Sequence, residues 1–314
     1  MNHTSTLITG AAGFAGRHLL AHLQSAQPAG HLVAWTRRDV DVTDRDALTK
    51  GIIQTRPDAV VHLAGSPHVG QSWLDAWGPL KTNVIGTHHL LDAIRVLDAI
   101  RAHHPRCRVL VVSSAMIYRP SGEPLDEDSP VGPASPYGFS KLAQDQLALN
   151  AAREDGLDVV VARPFNHVGP GQDPSFFLSS FAKQIALIEA GLSSPEIHAG
   201  NLDAERDLTD VRDVVDAYVR LLTAGTGGRA YNICSDKTHR VGDLLERLLA
   251  LAHVPIARIV DPARLRPNDV PRLVGNSARL RNELGWRPRR DIDATLADTL
   301  EHWRVEVARG RITS

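Results

Sequence analysis

Short runs of branched apolar residues recur along the chain with helical patterns between them, and this alternation limits the possible folds more than any other feature. STLITG (5–10), HLVAWT (31–36), DAVVHLAG (58–65), RVLVVSS (108–114) and LDVVVARP (157–164) read as strands. GRHLLAHLQSA, LKTNVIGTHHLLDAIRVLDAIRAH and SKLAQDQLALNAAREDG keep their apolar residues at helical spacing. Strands that are apolar on both sides must be covered on both faces, so the pattern predicts an α/β fold with a doubly wound parallel sheet of Rossmann type.

The pattern breaks after Pro164 into NHVGPGQDPS and a helix near 177–190, then resumes with the helix VRDVVDAYVRLLTAG and the strand RAYNIC at 211–234. We therefore expect a nucleotide-binding domain over 1–165 that takes back 211–235. Segments 166–210 and 236–314 are expected to make most of a smaller, interleaved α/β lobe.

Composition narrows the partners. Against 36 Asp+Glu the 314 residues carry 35 Lys+Arg, a formal charge of -1, so no overall field recruits nucleic acid or an anionic membrane. No segment reaches the roughly 18 apolar residues of a membrane span, and the start has no signal-peptide pattern. Cys107 and Cys234 belong to no CxxC or Cys/His cluster and read as structural thiols of a cytoplasmic protein. The pairs His88/His89 and His103/His104, and His167, lack companions at metal spacing, so no metal is assigned.

STLITG runs straight into GAAGFAG, with Gly10, Gly13 and Gly16 before a helix. Glycines there allow a tight turn and close approach to a pyrophosphate, and the helix start supplies N–H groups. Phe14 in this loop and Leu63 and Ala64 at the end of DAVVHLAG complete the expected lining. After the second strand the chain reads Arg37-Arg38, where NAD-selective sites place an acid. Two cations suit a 2′-phosphate, favouring NADP(H) with NAD(H) possible, unless both arginines are only solvated loop residues. Asp41 is placed for an adenine-edge contact; Asp44 either joins it or caps the next helix.

Tyr137 and Lys141 in PYGFSK are four apart, on one face of a helix that Pro136 can start. A tyrosine becomes useful near neutrality only if its pKa of about 10 falls by about 3, on the order of 4 kcal/mol, and a nearby ammonium supplies part of that. Lys141 could equally be a surface residue. With the glycine loop and the strand-end serines, this set resembles the extended short-chain dehydrogenase/reductase family: Tyr137 and Lys141 match its YxxxK pair, and Ser114 with Tyr118 matches its active-site hydroxyl. The resemblance implies that Tyr137 protonates an alkoxide, Ser114 bonds the carbonyl, and Lys141 binds the nicotinamide ribose and lowers the Tyr137 pKa. Ser113 would be a supporting hydroxyl.

RPFNHVGPGQ (163–172) and GNLDAERDLTDVRD (200–213) resemble the nucleotide-sugar branch that handles GDP-mannose derivatives, and RLRPNDVPRLVGNSARLRNELGW (264–286) is similar to its 4-keto-6-deoxy-D-mannose reductases. This implies a GDP-sugar substrate, with Asn166, Lys183, Arg206 and Arg266 around the diphosphate, Asp269 on ribose hydroxyls, and a homodimer. Local roles compete: Arg206 could pair with Glu205 or Asp207, Asn166 could be a turn residue, and Lys183 could be solvated. The substrate motifs are shared with 4,6-dehydratases. Those enzymes carry acids just after the active-site hydroxyl, where this chain has Ala115 and Met116, which cannot exchange protons. The sequence therefore reads as an NAD(P)H-dependent 4-ketone reductase forming GDP-D-rhamnose. A dehydratase, a 4-epimerase and an NADP-sensing scaffold stand as alternatives.

Overall fold

The structure, a computed structural model, describes residues 5–26, 30–101, 105–264 and 270–310. β1 (Ser5–Thr9), β2 (His31–Trp35), β3 (Ala59–His62), β4 (Arg108–Val112) and β5 (Val159–Pro164) form at the five apolar runs. β6 (Asn166–Val168), β7 (Glu196–Ala199) and β8 (Glu205–Asp210) come next, followed by β9 (Ala230–Ile233), β10 (Thr238–Arg240), β11 (Ala257–Val260) and β12 (Arg272–Leu273). The helices are α1 (Phe14–Ala26), α2 (Arg45–Thr55), the single turn α3 (Trp77–Pro79), α4 (Gly86–Arg101) and α5 (Pro136–Glu154), then α6 (Phe177–Glu189), α7 (Val211–Ala224), α8 (Val241–Leu249), α9 (Ala278–Leu284) and α10 (Ile292–Ala308).

Six strands pair in parallel in the order β2-β1-β3-β4-β5-β9, the doubly wound sheet expected from the sequence. Strand alternation divides the core. Leu7, Val60, Val109 and Val161 pack under α2, α4 and α5, while Ile8, Val61, Leu110 and Val160 pack under α1 and α7. Each such burial contributes about 1.5–3 kcal/mol. The order reverses beside β1, so a crevice opens above the carboxyl ends of β1 and β3, where open sheets of this kind bind ligands.

In the second lobe β8 is flanked by β10 and β12 and pairs with β6, while β7 pairs with β11. Here α6, α8 and α10 enclose a separate core around Phe181, Ile185, Leu244 and Leu300. The interleaving continues after β12: Leu280 and Trp286 return to the first lobe, with Trp286 Nε1 donating to the Asp213 carbonyl at 3.1 Å, before α10 rejoins the second.

Ahead of α4 the chain takes a π-helical turn over Leu80–Ile85, where the apolar pattern predicts a uniform helix from Leu80. Two buried contacts account for it. A Cβ on Gly86 would lie 2.7 Å from Val42 Cγ2, and the fully buried Asn83 accepts from the Ser66 N–H at 2.9 Å and donates to Ser140 Oγ at 2.9 Å. The wider turn directs this amide inward between β3 and α5. Among the described residues no helix is long and apolar enough to cross a membrane.

Candidate active site

Gly10 leaves β1 at φ 69, and a Cβ there would sit 2.6 Å from the Ala64 nitrogen, so only glycine lets the loop pass against Leu63 and Ala64. At Gly16 a Cβ would meet the Gly10 carbonyl at 2.5 Å, which lets α1 start against the loop; Gly13 donates to that same carbonyl at 2.9 Å. The N–H groups opening α1 have no helical acceptors, and the glycine loop joins them directly to the end of β1, an arrangement that fits a pyrophosphate. Phe14 stacks on His167 with 5.9 Å between ring centroids.

Beyond β2, Arg37 and Arg38 are exposed, Arg37 with its side chain 88% accessible. Asp39 closes the turn that presents them, accepting from the Thr36 N–H at 2.8 Å and its hydroxyl at 2.7 Å; these bonds hold its carboxyl below the usual range. Asp41 accepts from the Thr43 N–H (2.9 Å) and hydroxyl (2.8 Å) and from Arg37 Nε (3.2 Å). Asp44 caps α2 through the Ala47 N–H at 3.0 Å.

Ser114 follows β4 in extended conformation, and its Oγ accepts from the Met116 N–H at 3.1 Å, capping the 3-10 turn Ala115–Ile117. Ser113 Oγ donates to the Lys141 carbonyl at 3.4 Å. The start of α5 is fixed by two hydroxyls: Ser135 Oγ accepts from the Gly138 N–H at 3.1 Å and Ser72 Oγ from the Tyr137 N–H at 3.2 Å. Burial pushes the Tyr137 phenol up to about 12, with a hydrogen bond from Ser114 acting against it. Burial pulls Lys141 down to about 7, Asp145 opposing. Burial, rather than Lys141, governs the phenol. Tyr118 is tied into the core, donating to Asn232 Oδ1 at 2.7 Å and accepting from Arg163 Nη1 at 3.0 Å.

On the second lobe, Asn166 pairs with Leu208 across β6 and β8, and Arg206 lies on the same face of β8, two residues before Leu208. Arg206 Nη1 donates to the Glu205 carbonyl at 2.9 Å and the Pro271 carbonyl at 3.4 Å. Lys183 Nζ lies 6.0 Å from the Trp303 ring centroid. Arg266 and Asp269, like His103 and His104, lie outside the described residues. Among the described residues no three His, Cys, Asp or Glu side chains are grouped to hold a metal ion.

Sequence reasoning passed over Ser72, Asn83, Thr87 and Gln144, which are all fully or almost fully buried around α5. The available signal was a polar side chain on the face that helical spacing assigns to the core: Asn83 and Thr87 are four apart, and Gln144 lies one turn from Lys141.

A sequence profile of the family described as GDP-mannose 4,6 dehydratase matches residues 31–299. The GDP-6-deoxy-D-mannose reductase of Pseudomonas aeruginosa is 37% identical over 303 residues, 96% of this chain and 97% of that protein. Among solved structures, RMD from Pseudomonas aeruginosa complexed with NADPH superposes with a TM-score of 0.84 at 35% identity, covering 96% of this chain and 99% of that one. The UDP-glucose 4-epimerase of Thermus thermophilus in complex with NAD gives 0.83 at 26% identity over the same shares.

Proposed function

The chain belongs to the GDP-mannose 4,6-dehydratase family, and from that membership we propose that it runs the reducing reaction: NADPH-dependent reduction of the C4 ketone of GDP-4-keto-6-deoxy-D-mannose to GDP-D-rhamnose. The observation that carries the reading is the turn after Ser114. A dehydratase needs a group to abstract a proton beside the ketone and another to protonate the departing hydroxyl. This turn offers a buried Ala115 and a half-buried Met116. The state of Tyr137 supports the same direction. Burial favours the protonated phenol at neutral pH. The protonated phenol is the form that can give a proton to a ketone oxygen.

The glycine loop, the α1 N-terminus and the projecting Arg37 and Arg38 fit a dinucleotide with a 2′-phosphate, which supplies the hydride when bound. NAD(H) lacks the group the two arginines would hold. Ser114 hydrogen-bonds the ketone oxygen, Tyr137 gives its proton to that oxygen as negative charge develops, and the Lys141 ammonium stabilises the tyrosinate left behind. Asn166, Lys183 and Arg206, with Arg266, bind the diphosphate, and Asp269 accepts from ribose hydroxyls. Exposed Ile85, Val96 and Ile100 along α4 and its approach, with Phe139 on α5, support a homodimer across these helices. Buried, unpaired Cys107 and Cys234 support a cytoplasmic setting.

Purified protein given NADPH and GDP-4-keto-6-deoxy-D-mannose should oxidise the cofactor, and NMR of the product should show the rhamno configuration at C4. Tyr137→Phe should lower kcat at least 100-fold. No turnover, a talo product, or equal turnover by Tyr137→Phe would sink the reading.

A further inference from the structure

A buried polar chain runs from Lys141 to the point where the cofactor loop leaves β1, and the reaction just described gives it no task. Lys141 Nζ donates to the Val112 carbonyl (2.9 Å) and to Gln144 Oε1 (2.8 Å). The other end of that amide, Gln144 Nε2, donates to Thr87 Oγ1 (2.7 Å), and Thr87 Oγ1 lies 3.0 Å from His62 Nε2. His62 Nδ1 is 2.8 Å from Thr9 Oγ1, which also accepts from the Ala64 N–H at 3.2 Å. Thr9, His62, Thr87 and Gln144 are each 0% exposed.

The ammonium fixes the polarity. It can only donate, so Gln144 must turn its oxygen to Lys141 and its NH₂ to Thr87. Burial, with the Lys141 charge adding to it, pulls His62 down to about 3, so the imidazole is neutral and bridges two hydroxyls. A carboxamide passes on no proton at ordinary pH, which makes the chain a holder rather than a proton wire.

The charges around Lys141 are equally specific. The carboxylate that acts on it is Asp145, on the same helix, and both Asp145 oxygens are taken by Arg163 at 2.9 Å. His62 on β3 is neutral, Tyr137 on α5 is protonated, and β4 contributes only the Val112 carbonyl. Asn83, from the π turn, is uncharged and spends its amide on Ser66 and Ser140. Among the described residues none forms an ion pair with Lys141.

We propose that Gln144 is a positioning residue for Lys141: its amide, held from behind by Thr87, His62 and Thr9, fixes the ammonium on the Tyr137 face of α5 without giving it a counter-charge. The geometry stands by itself; the consequence for catalysis rests on the reductase reading. A neutral acceptor leaves the lysine free to lose its proton near 7, whereas a carboxylate in the same place would hold the proton on.

The test is the pH dependence of NADPH binding, followed by fluorescence of the reduced nicotinamide, and of keto-sugar turnover. Lys141 acts as a cation, so both should weaken as pH rises through its pKa. Gln144→Glu should move this alkaline limb up by on the order of one pH unit, and Gln144→Leu should move it down. Lys141→Met should abolish it. Thr87→Val, which leaves Gln144 without its acceptor, should give a smaller downward shift and serves if Gln144→Leu does not fold. A limb that is absent, that stays in place in the Gln144 variants, or that persists in Lys141→Met overturns the proposal. NADPH binding needs no sugar, so an intact limb that moves as described, with no turnover by the unmodified protein, would overturn the reductase reading alone.

Discussion

At the scale of single residues, the proposed cofactor choice rests on where three charges point after β2. Asp39 stands where a carboxylate could repel a 2′-phosphate, but its Oδ2 accepts from both the N–H and the hydroxyl of Thr36 inside the turn. Arg37 and Arg38 project from the same turn into solvent. Replacing both by alanine should weaken NADPH binding about tenfold, with a larger loss at low ionic strength. NADH binding should change less than about twofold and thermal stability hardly at all, because neither side chain is packed. Cofactor titrations check this; equal losses for the two cofactors would show that the arginines do not read the phosphate. The pair was legible because it is adjacent in sequence, as were Gly10, Tyr137 and Lys141. Asp39 was not, since only the folded turn shows its Oδ2 turned in to Thr36. His62 was hidden differently: inside DAVVHLAG it reads as one more buried strand position, and its partners Thr9 and Thr87 are 53 and 25 residues away.

At the scale of elements, α5 carries the site, and its first turn is where the site is made rigid. The helix starts with Ser135 as cap and Pro136 at its first position, and Ser72 takes the Tyr137 N–H that the helix itself leaves without an acceptor. Ser135→Ala should cost about 1 kcal/mol of stability and lower Tm by about 2 °C, with a drop in kcat through a looser Tyr137. Calorimetry and turnover test this together; an unchanged Tm would mean that the cap is replaced by water. The long strands and helices were readable because each repeats its period over several residues. The short strands β6, β10 and β12, of three, three and two residues, carry no such period, and they exist because β8 offers them edges. The π turn before α4 was invisible for a related reason: its cause is the contact of Gly86 with Val42 and of Asn83 with Ser140, neither of which is local.

At the scale of the whole molecule, the question is how two lobes with separate cores act on one ligand pair. The start of α1 is stitched directly to the segment that follows Asn166. Arg17 Nη1 donates to the Ala12 carbonyl at 2.7 Å inside the glycine loop, and Nη2 donates to the Gly171 carbonyl at 2.8 Å, 154 residues away. Burial pulls the neighbouring His18 below its ordinary range, so its neutral ring can donate to the Pro170 carbonyl at 2.9 Å. We expect a ligand that fixes the glycine loop to fix through these bonds the loop beside the proposed diphosphate residues as well, so that the two ligands bind cooperatively. NADPH should bind more tightly in the presence of saturating GDP, by about fivefold or more, and linkage requires the same factor for GDP in the presence of NADPH. Arg17→Ala removes both ends of the clasp at an exposed position, so it should bring that factor towards one while changing Tm little. Calorimetric titration of each ligand with and without the other measures the factor directly. An unchanged factor in Arg17→Ala would show that the lobes communicate through the His18–Pro170 bond or the packed helices, whereas a lost factor with both single-ligand affinities preserved would place the coupling in this one side chain.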